Sequence, residues 1–152
     1  MSLVRQIFRE YVTGLGIDLA FQDFDLELEQ LPGEYAAPRG ALRLALVGGE
    51  LAGCCGLRPL HGVDGVDVRN TAEMKRLYVR PAYRGRNLGR ELAQTVLDAA
   101  WHIGYDSVVL DTLDEMKAAR SIYADLGFGE IPAYYHNPLP GVHYLKRDRD
   151  PA

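Results

Sequence analysis

Apolar residues recur along this chain with two periods, and the changes of period mark its elements. Over residues 3–14, Leu3, Val4, Ile7, Phe8, Tyr11 and Val12 fall at helical spacing, and Gly14 and Gly16 end the run. A short acidic helix is predicted over residues 25–30, closed by Pro32-Gly33, with residues 34–40 as loop. The period then drops to two. Leu42, Leu44 and Leu46 alternate with Arg43 and Ala45, Gly48-Gly49 signals a hairpin, and residues 50–60 form the partner strand. Gly53 and Gly56 within that partner predict a bulge or a close backbone contact.

Residues 61–69 are polar and read as a loop or wide connection, and residues 72–79 read as a third strand, stopped by Arg80-Pro81. Helical spacing returns with Leu88, Leu92, Val96, Ala99 and Ile103, ended by Gly104. Residues 107–110 make a short apolar run of the buried-strand kind. Asp114 is placed to cap a helix whose stripe is Met116, Ala119, Ile122, Tyr123 and Leu126, stopped by Gly127. Residues 142–146 predict a last strand and residues 147–152 a polar tail. Helices, three antiparallel strands, then helix, strand, helix, strand describe a mixed α/β (α+β) fold in one domain over residues 1–152, with no internal repeat and no linker.

Between the third strand and the long helix stands Arg84-Gly85-Arg86-Asn87-Leu88-Gly89. A strand, a glycine-containing turn and a helix start form an anion site, because the first helical N–H groups lack partners and the helix dipole adds positive potential. Gly85 and Gly89 remove the Cβ that would keep a ligand from the backbone. Lys75, Arg76, Arg80, Arg84, Arg86 and Arg90 crowd the same stretch, which points to a phosphorylated cofactor rather than a merely solvated face.

Composition narrows the field. At 152 residues, 47% hydrophobic and 25% charged, the chain is long enough for a real core. The net charge of −4 argues against a nucleic-acid binder, although the arginine cluster leaves that module as a rival. No apolar run approaches a membrane span, and the N-terminus lacks a signal-peptide core, which points to the cytoplasm. Cys54 and Cys55 are adjacent, which excludes a disulfide framework and a cysteine zinc site with ordinary spacing. No metal is expected, since nothing unites His61 and His136 as ligands.

The element order, the six-residue turn after the third strand and Ile-Tyr-Ala-Asp-Leu-Gly-Phe at 122–128 together resemble a GNAT-superfamily N-acetyltransferase. The resemblance spans roughly residues 41–131 and extends more weakly to both ends. The family's cofactor motif is Gln or Arg, two residues, Gly, one residue, then Gly or Ala; here Asn87 stands at the middle Gly. Asn tolerates unusual backbone angles better than most residues. The family's first strand is missing before the first helix, so the sheet would lack an edge strand or take one from a second copy of the chain. Met116 stands where family members often carry an Asn for the cofactor arm, so that contact would be missing or made by a neighbour such as Asp114.

The resemblance implies a mostly antiparallel sheet whose central parallel strands splay apart, with acetyl-CoA in the gap. Its pantetheine would pair with the backbone of Leu77, Tyr78 and Val79 like an added strand, and its pyrophosphate would sit on the amides of Arg84, Gly85, Arg86, Asn87, Leu88 and Gly89. Acetyl transfer needs an amine without its extra proton, a donor for the developing oxyanion and a proton for the departing thiolate. Glu73 is the candidate base, directly or through a water, on the same face as Lys75 and Leu77 unless a bulge intervenes. Tyr123 is the candidate acid for the sulfur and the Val79 N–H the oxyanion donor. Glu73 also reads as a surface partner of Lys75 or Arg76, and Tyr123 as plain core.

An acetyl-cysteine on Cys54 or Cys55 is the weaker alternative to two buried structural thiols. Tyr134-Tyr135-His136-Asn137-Pro138, Tyr35, His61 and residues 61–69 are further candidates for the acceptor pocket. The acceptor is expected to be a primary amine on a small molecule, an amino acid or a peptide. The rival reading is a CoA-binding sensor without catalysis.

Overall fold

The computed structural model of the chain describes residues 1–16, 23–61 and 69–151. Helix α1 (Ser2–Leu15) and the short α2 (Phe24–Gln30) come first, followed by strands β1 (Ala41–Val47), β2 (Glu50–Pro59) and β3 (Thr71–Val79). Helix α3 (Leu88–Ile103), β4 (Ser107–Leu113), α4 (Lys117–Asp125), β5 (Gly129–Ile131) and β6 (Val142–Asp148) complete the order. The strands form one six-stranded sheet in the order β1-β2-β3-β4-β6-β5. All neighbouring pairs are antiparallel except β3 and β4.

Two apolar clusters hold the layers together. Leu92, Val96 and Ala100 of α3, with Tyr123 of α4, bury against Leu57, Met74, Val108 and Leu110 of the sheet. On the other face, Val4, Ile7 and Phe8 of α1 and Phe24 and Leu28 of α2 bury against Leu51 and Cys54. The predicted stripe of α1 therefore holds in its central turns, with Val4, Ile7 and Phe8 among its buried residues. The hairpin turn is also as expected: Gly48 and Gly49 both take positive φ, at 58° and 84°.

The arrangement of β3 and β4 positions the site. Only Thr71, Ala72 and Glu73 pair with β4, opposite Ser107, Val108 and Val109. β2 stays paired to β3 as far as Val79, and β6 to β4 as far as Leu113. Past Glu73 the two parallel strands therefore part and leave an open backbone edge between them. This is the splayed central pair the resemblance implied.

Three boundaries differ from expectation. The strand predicted at 107–110 runs on to Leu113, and the one predicted at 142–146 extends to Asp148, taking Arg147 and Asp148 out of the polar tail. The three-residue β5 carries too little pattern to be seen in sequence. Asp114 does not cap α4. Met116 occupies the cap position, and the Asp114 carboxylate is engaged by His143 and Arg120 instead. With the helix starting one residue beyond Met116, Asp114 is too far upstream to reach its free N–H groups. No described strand precedes α1, and β1 is the sheet edge.

Candidate active site

The turn after β3 folds as an anion cradle by backbone angle. Gly85 has φ 83° with open space around it, and Asn87 takes the left-handed conformation at φ 62°, ψ 15° as the residue before α3. Asn is among the few residues that accept that region at low cost, so Asn87 does the conformational work of a glycine. Gly89 lines the cleft and has a packing role as well. A Cβ there would lie 3.1 Å from Cδ1 of Ile122, so its smallness lets α3 and α4 meet.

These residues line a cleft of about 740 Å³ between the open edge of β3 and the start of α4. Leu77, Tyr78 and Val79 form one wall, Met116, Ala119 and Ile122 the other, and Tyr11 and Leu15 of α1 close the inner end. Arg80 N–H donates to the Ala52 carbonyl at 2.7 Å. The antiparallel alternation then turns the N–H of Val79, one residue earlier, away from β2 and toward the cleft. The Val79 carbonyl faces the same way and accepts from Arg84 Nε at 3.0 Å. An extended ligand arm fits such an edge, with the helix start beyond it for phosphate.

The arginine cluster does not exist as a cluster. Arg76 is buried and makes a two-point contact with Glu27 of α2, Nε to Oε2 at 3.0 Å and Nη2 to Oε1 at 3.1 Å. Arg80 binds Glu10 and the Leu51 carbonyl, and Arg90 binds Asp125. Of the six, Arg84 and Arg86 are exposed beside the turn, lying over the rings of Tyr78 and Tyr83. Sequence proximity concealed the fact that strand alternation and one bulge send these side chains to opposite faces.

That bulge lies at Arg76, a strand residue with φ 61°. On β2 the register passes from Cys54 opposite Tyr78 to Gly56 opposite Lys75, so one residue faces two. As a result Leu77 leaves the face it was expected to share with Glu73 and Lys75. It packs with Val79 on the α3 side, while Lys75 and Arg76, although consecutive, both reach toward α1 and α2.

Beyond the bulge lies a second cavity, of about 470 Å³, walled by α2, the 3-10 turn Gly33–Tyr35, β2 and the segment before β6. Its floor is a buried charge network. Glu73, 3% exposed, accepts from Arg58 Nε at 3.0 Å and from the Tyr134 hydroxyl at 2.6 Å, and Arg58 also lies 3.5 Å from Glu27. Burial alone would raise the Glu73 pKa, but the charges of Lys75 and Arg58 and the Tyr134 hydrogen bond outweigh it and hold the carboxyl below its usual range. Among the described residues the Tyr35 hydroxyl, also on this wall, is the one buried side-chain polar atom without a partner.

A narrow space of about 50 Å³ shares Tyr11, Leu77 and Met116 with the cleft and Lys75 with the cavity. Tyr123 lines it, together with Tyr11, Lys75, Asp111 and Asn137. Burial pushes the Tyr123 phenol well above its usual pKa and keeps its proton in place, and its ring packs edge-on to Phe128 at 5.7 Å. Asp111 is held by the Tyr135 hydroxyl and by Asn137 Nδ2, the latter at 2.8 Å. The segment flagged in the sequence therefore splits: Tyr134 serves Glu73, Tyr135 and Asn137 serve Asp111, and His136 is exposed.

His61, paired with Glu34, stands at the cavity rim, while residues 62–68 of the expected loop lie outside the described residues. Cys54 and Cys55 are fully buried with thiol pKa values pushed up, to about 12 for Cys54, so neither is a nucleophile at neutral pH. Glu27, Arg58 and Asp111 escaped the sequence reading because no local spacing marks them. Arg58 is tied to Glu73 only through the β2–β3 register, which faces the two directly.

The comparisons with known proteins agree with this geometry. The acetyltransferase (GNAT) family model matches residues 3–128. An uncharacterized N-acetyltransferase of Schizosaccharomyces pombe is 38% identical over 143 residues, 93% of this chain and 84% of the relative. Human N-acetylaspartate synthetase is 31% identical over 91% of this chain, which spans 41% of that longer protein. Among solved structures, a GNAT-family acetyltransferase of Staphylococcus aureus Mu50 superposes with a TM-score of 0.73 at 23% identity, covering 95% of this chain and 92% of its own. YncA of Salmonella typhimurium, solved with its cofactor acetyl-CoA, does so with a TM-score of 0.60 at 22% identity, covering 90% and 76%. With its splayed β3–β4 pair and the glycine turn before α3, this chain belongs to the GNAT acetyltransferase family and is an acyltransferase.

Proposed function

We propose that the protein moves the acetyl group of acetyl-CoA directly to a primary amine and that the acceptor is an amino acid. The observation that carries this reading is the succession of cleft, narrow space and cavity along shared lining residues. They share Tyr11, Leu77 and Met116 at one junction and Lys75 at the other, so donor and acceptor can meet beside Tyr123 without a covalent enzyme intermediate. The cavity suits a ligand of amino-acid size, and Arg58 on its wall is a cation able to meet a carboxylate. The kinship with enzymes named N-acetylaspartate synthetase supports the same class.

In this reading Leu77, Tyr78 and Val79 hold the arm of the cofactor through their backbone, and the amides of residues 84–89 hold its pyrophosphate. Met116 packs against the arm where an Asn is usual. The cofactor, when bound, supplies an acetyl thioester. Val79 N–H faces the cleft where negative charge would develop on oxygen. Tyr123 keeps its proton in the ground state and gives it up where the thiolate departs. Glu73, held ionised by its donors, is suited to attract and orient the acceptor's ammonium at the end of the cavity.

A thiol-release assay with acetyl-CoA against amino acids, polyamines, aminoglycosides and peptides tests this. Turnover is expected with free amino acids and none with their N-acetylated forms. Turnover confined to polyamines or aminoglycosides would remove the amino-acid reading. No thiol release with any amine would remove the transferase activity proposed for this site.

A further inference from the structure

We propose that Lys75, as an uncharged amine, takes the proton from the acceptor's ammonium; the inference rests on the transferase reading above. Among the described residues, Lys75 alone lines both the acceptor cavity and the narrow space beside Tyr123. Glu73 lines only the first, Asp111 and Tyr123 only the second. Lys75 therefore stands between the acceptor cavity and the space beside Tyr123. The bulge at Arg76 creates this placement, since it brings Lys75 and Arg76 to one face and Glu27 then draws Arg76 aside.

The surroundings favour an amine that can exchange its proton. Lys75 is 6% exposed, so its charged form is poorly solvated. Arg58 on β2 and Arg76 beside it oppose that charge, whereas Glu73 on β3 and Asp111 on β4 favour it. Glu27 of α2 also faces this floor but is bound by Arg76. Five phenols complete the shell: Tyr11 from α1, Tyr35 from the 3-10 turn, Tyr123 from α4, and Tyr134 and Tyr135 from the segment before β6. Burial raises the pKa of each, so none carries charge at neutral pH. Burial dominates for Lys75 and lowers its pKa to about 8.

The alternative acceptor, Glu73, is poorly matched. Ammonium groups have ordinary pKa values from ~8 to ~10, so handing a proton even to a carboxylate of ordinary pKa, ~4.3, runs roughly a thousandfold or more uphill. Transfer to Lys75 is level or only modestly uphill. An N–H bond of the ammonium breaks, its electron pair stays on nitrogen, and the proton goes to Lys75 Nζ, where Glu73 and Asp111 stabilise the new charge. The freed amine forms the C–N bond to the thioester carbonyl carbon as the C–S bond breaks. Its second proton replaces the one Tyr123 delivers to sulfur. Lys75 sheds its own proton to solvent through the acceptor cavity.

The test compares wild type with Lys75→Met and Lys75→Arg in kcat/KM against pH, using acetyl-CoA with L-aspartate or the fastest acceptor of the amine panel. Both variants should lose about 100-fold at pH 7 and recover most of it toward pH 10, where the acceptor supplies its own free amine. Lys75→Arg keeps the charge and decides the matter if Lys75→Met fails to fold. A second readout needs no turnover. The chain has three lysines, Lys75, Lys117 and Lys146, so 13C-lysine spectra are simple, and the Cε signal missing from Lys75→Met should titrate near pH 8. The proposal is overturned if Lys75→Arg retains wild-type activity at pH 7, if the loss is equal at every pH, or if that signal does not move below pH 10. A wild type inactive with every amine overturns the transferase reading itself and the role of Lys75 with it.

Discussion

The cofactor cleft and the floor of the acceptor cavity lie on either side of one strand, yet they are built on opposite principles. The cleft takes one wall from a single stretch of chain, Leu77 to Arg90, whose open strand edge offers backbone N–H and C=O groups, and the other from α4. Beside it Arg84 and Arg86 stand in solvent. The cavity floor is made of side chains, Glu27, Arg58, Glu73, Arg76 and Tyr134, drawn from α2, β2, β3 and the segment before β6, and its charges are largely removed from water. A backbone site tolerates changes of side chain as long as its angles are kept. A buried charge network tolerates almost none, because each member left alone keeps its desolvation cost without its partner.

The sharpest way to break this contrast is Arg76→Met. It strips Glu27 of its two close donor atoms and leaves, among the described residues, the 3.5 Å approach of Arg58, so the domain should lose about 3–5 kcal/mol, read as a large fall in the midpoint of thermal unfolding. The matched change on the cofactor side, Arg86→Ala, should stay within about 0.5 kcal/mol. Equal losses from the two would mean that the floor is no more coupled than the surface.

Next in size is the effect of Tyr123→Phe, which probes the place where the two regions meet. The ring stays in the core against Phe128 while the proton is lost. We expect kcat to fall about 100- to 1000-fold with CoA affinity, measured calorimetrically, unchanged. A parallel loss of CoA affinity would make Tyr123 a wall of the cleft rather than an acid.

What the sequence disclosed follows the same division. The turn at 84–89, the hairpin at Gly48-Gly49 and the α3 stripe were legible because each depends on residues close together in the chain. Element order and the Leu-Gly-Phe helix end supplied the rest of the fold. A bulge or close contact was expected at Gly53 and Gly56, and the β2–β3 register does shift between Cys54 and Gly56, but its seat at Arg76 on β3 was not legible. An arginine at φ 61° in mid-strand carries no local signal, and without it period two puts Leu77 on the face of Glu73 and gathers six cations that are in fact scattered. Arg58 and Asp111 were invisible for a related reason, since their partners lie 15 or more residues away.

On the cofactor side the angles, not the side chains, should matter, and Asn87 separates the two. Asn87→Gly suits φ 62° and should leave stability and CoA affinity close to wild type. Asn87→Val places a β-branched residue in the left-handed region and should cost about 1–2 kcal/mol, with weaker CoA binding by calorimetry. If Gly and Val behave alike, the cradle does not depend on that angle.

The smallest effect belongs to charge at the surface of the cleft's far wall. The His143 ring is flanked by Asp114, two residues before Met116, and by Glu130. Hydrogen bonding to Asp114 and then to Glu130 raises the His143 pKa, and the same contact to His143 lowers that of Asp114. The signs follow from these directions. The contribution of His143 is full below the unfolded imidazole value of ~6.5 and is lost as pH rises through the raised folded value. That of Asp114 is present above the unfolded carboxylate value and is lost as pH falls through the lowered one. His143→Gln should therefore destabilise the domain slightly between about pH 4 and 6.5, and the difference from wild type should vanish by about pH 9. Because Asp114 is exposed, 0.5 M salt should also shrink it, whereas the same salt should leave the loss in Arg76→Met nearly intact. A salt-sensitive Arg76 would mean that its contact with Glu27, whose side chain is 9% exposed, is open to solvent.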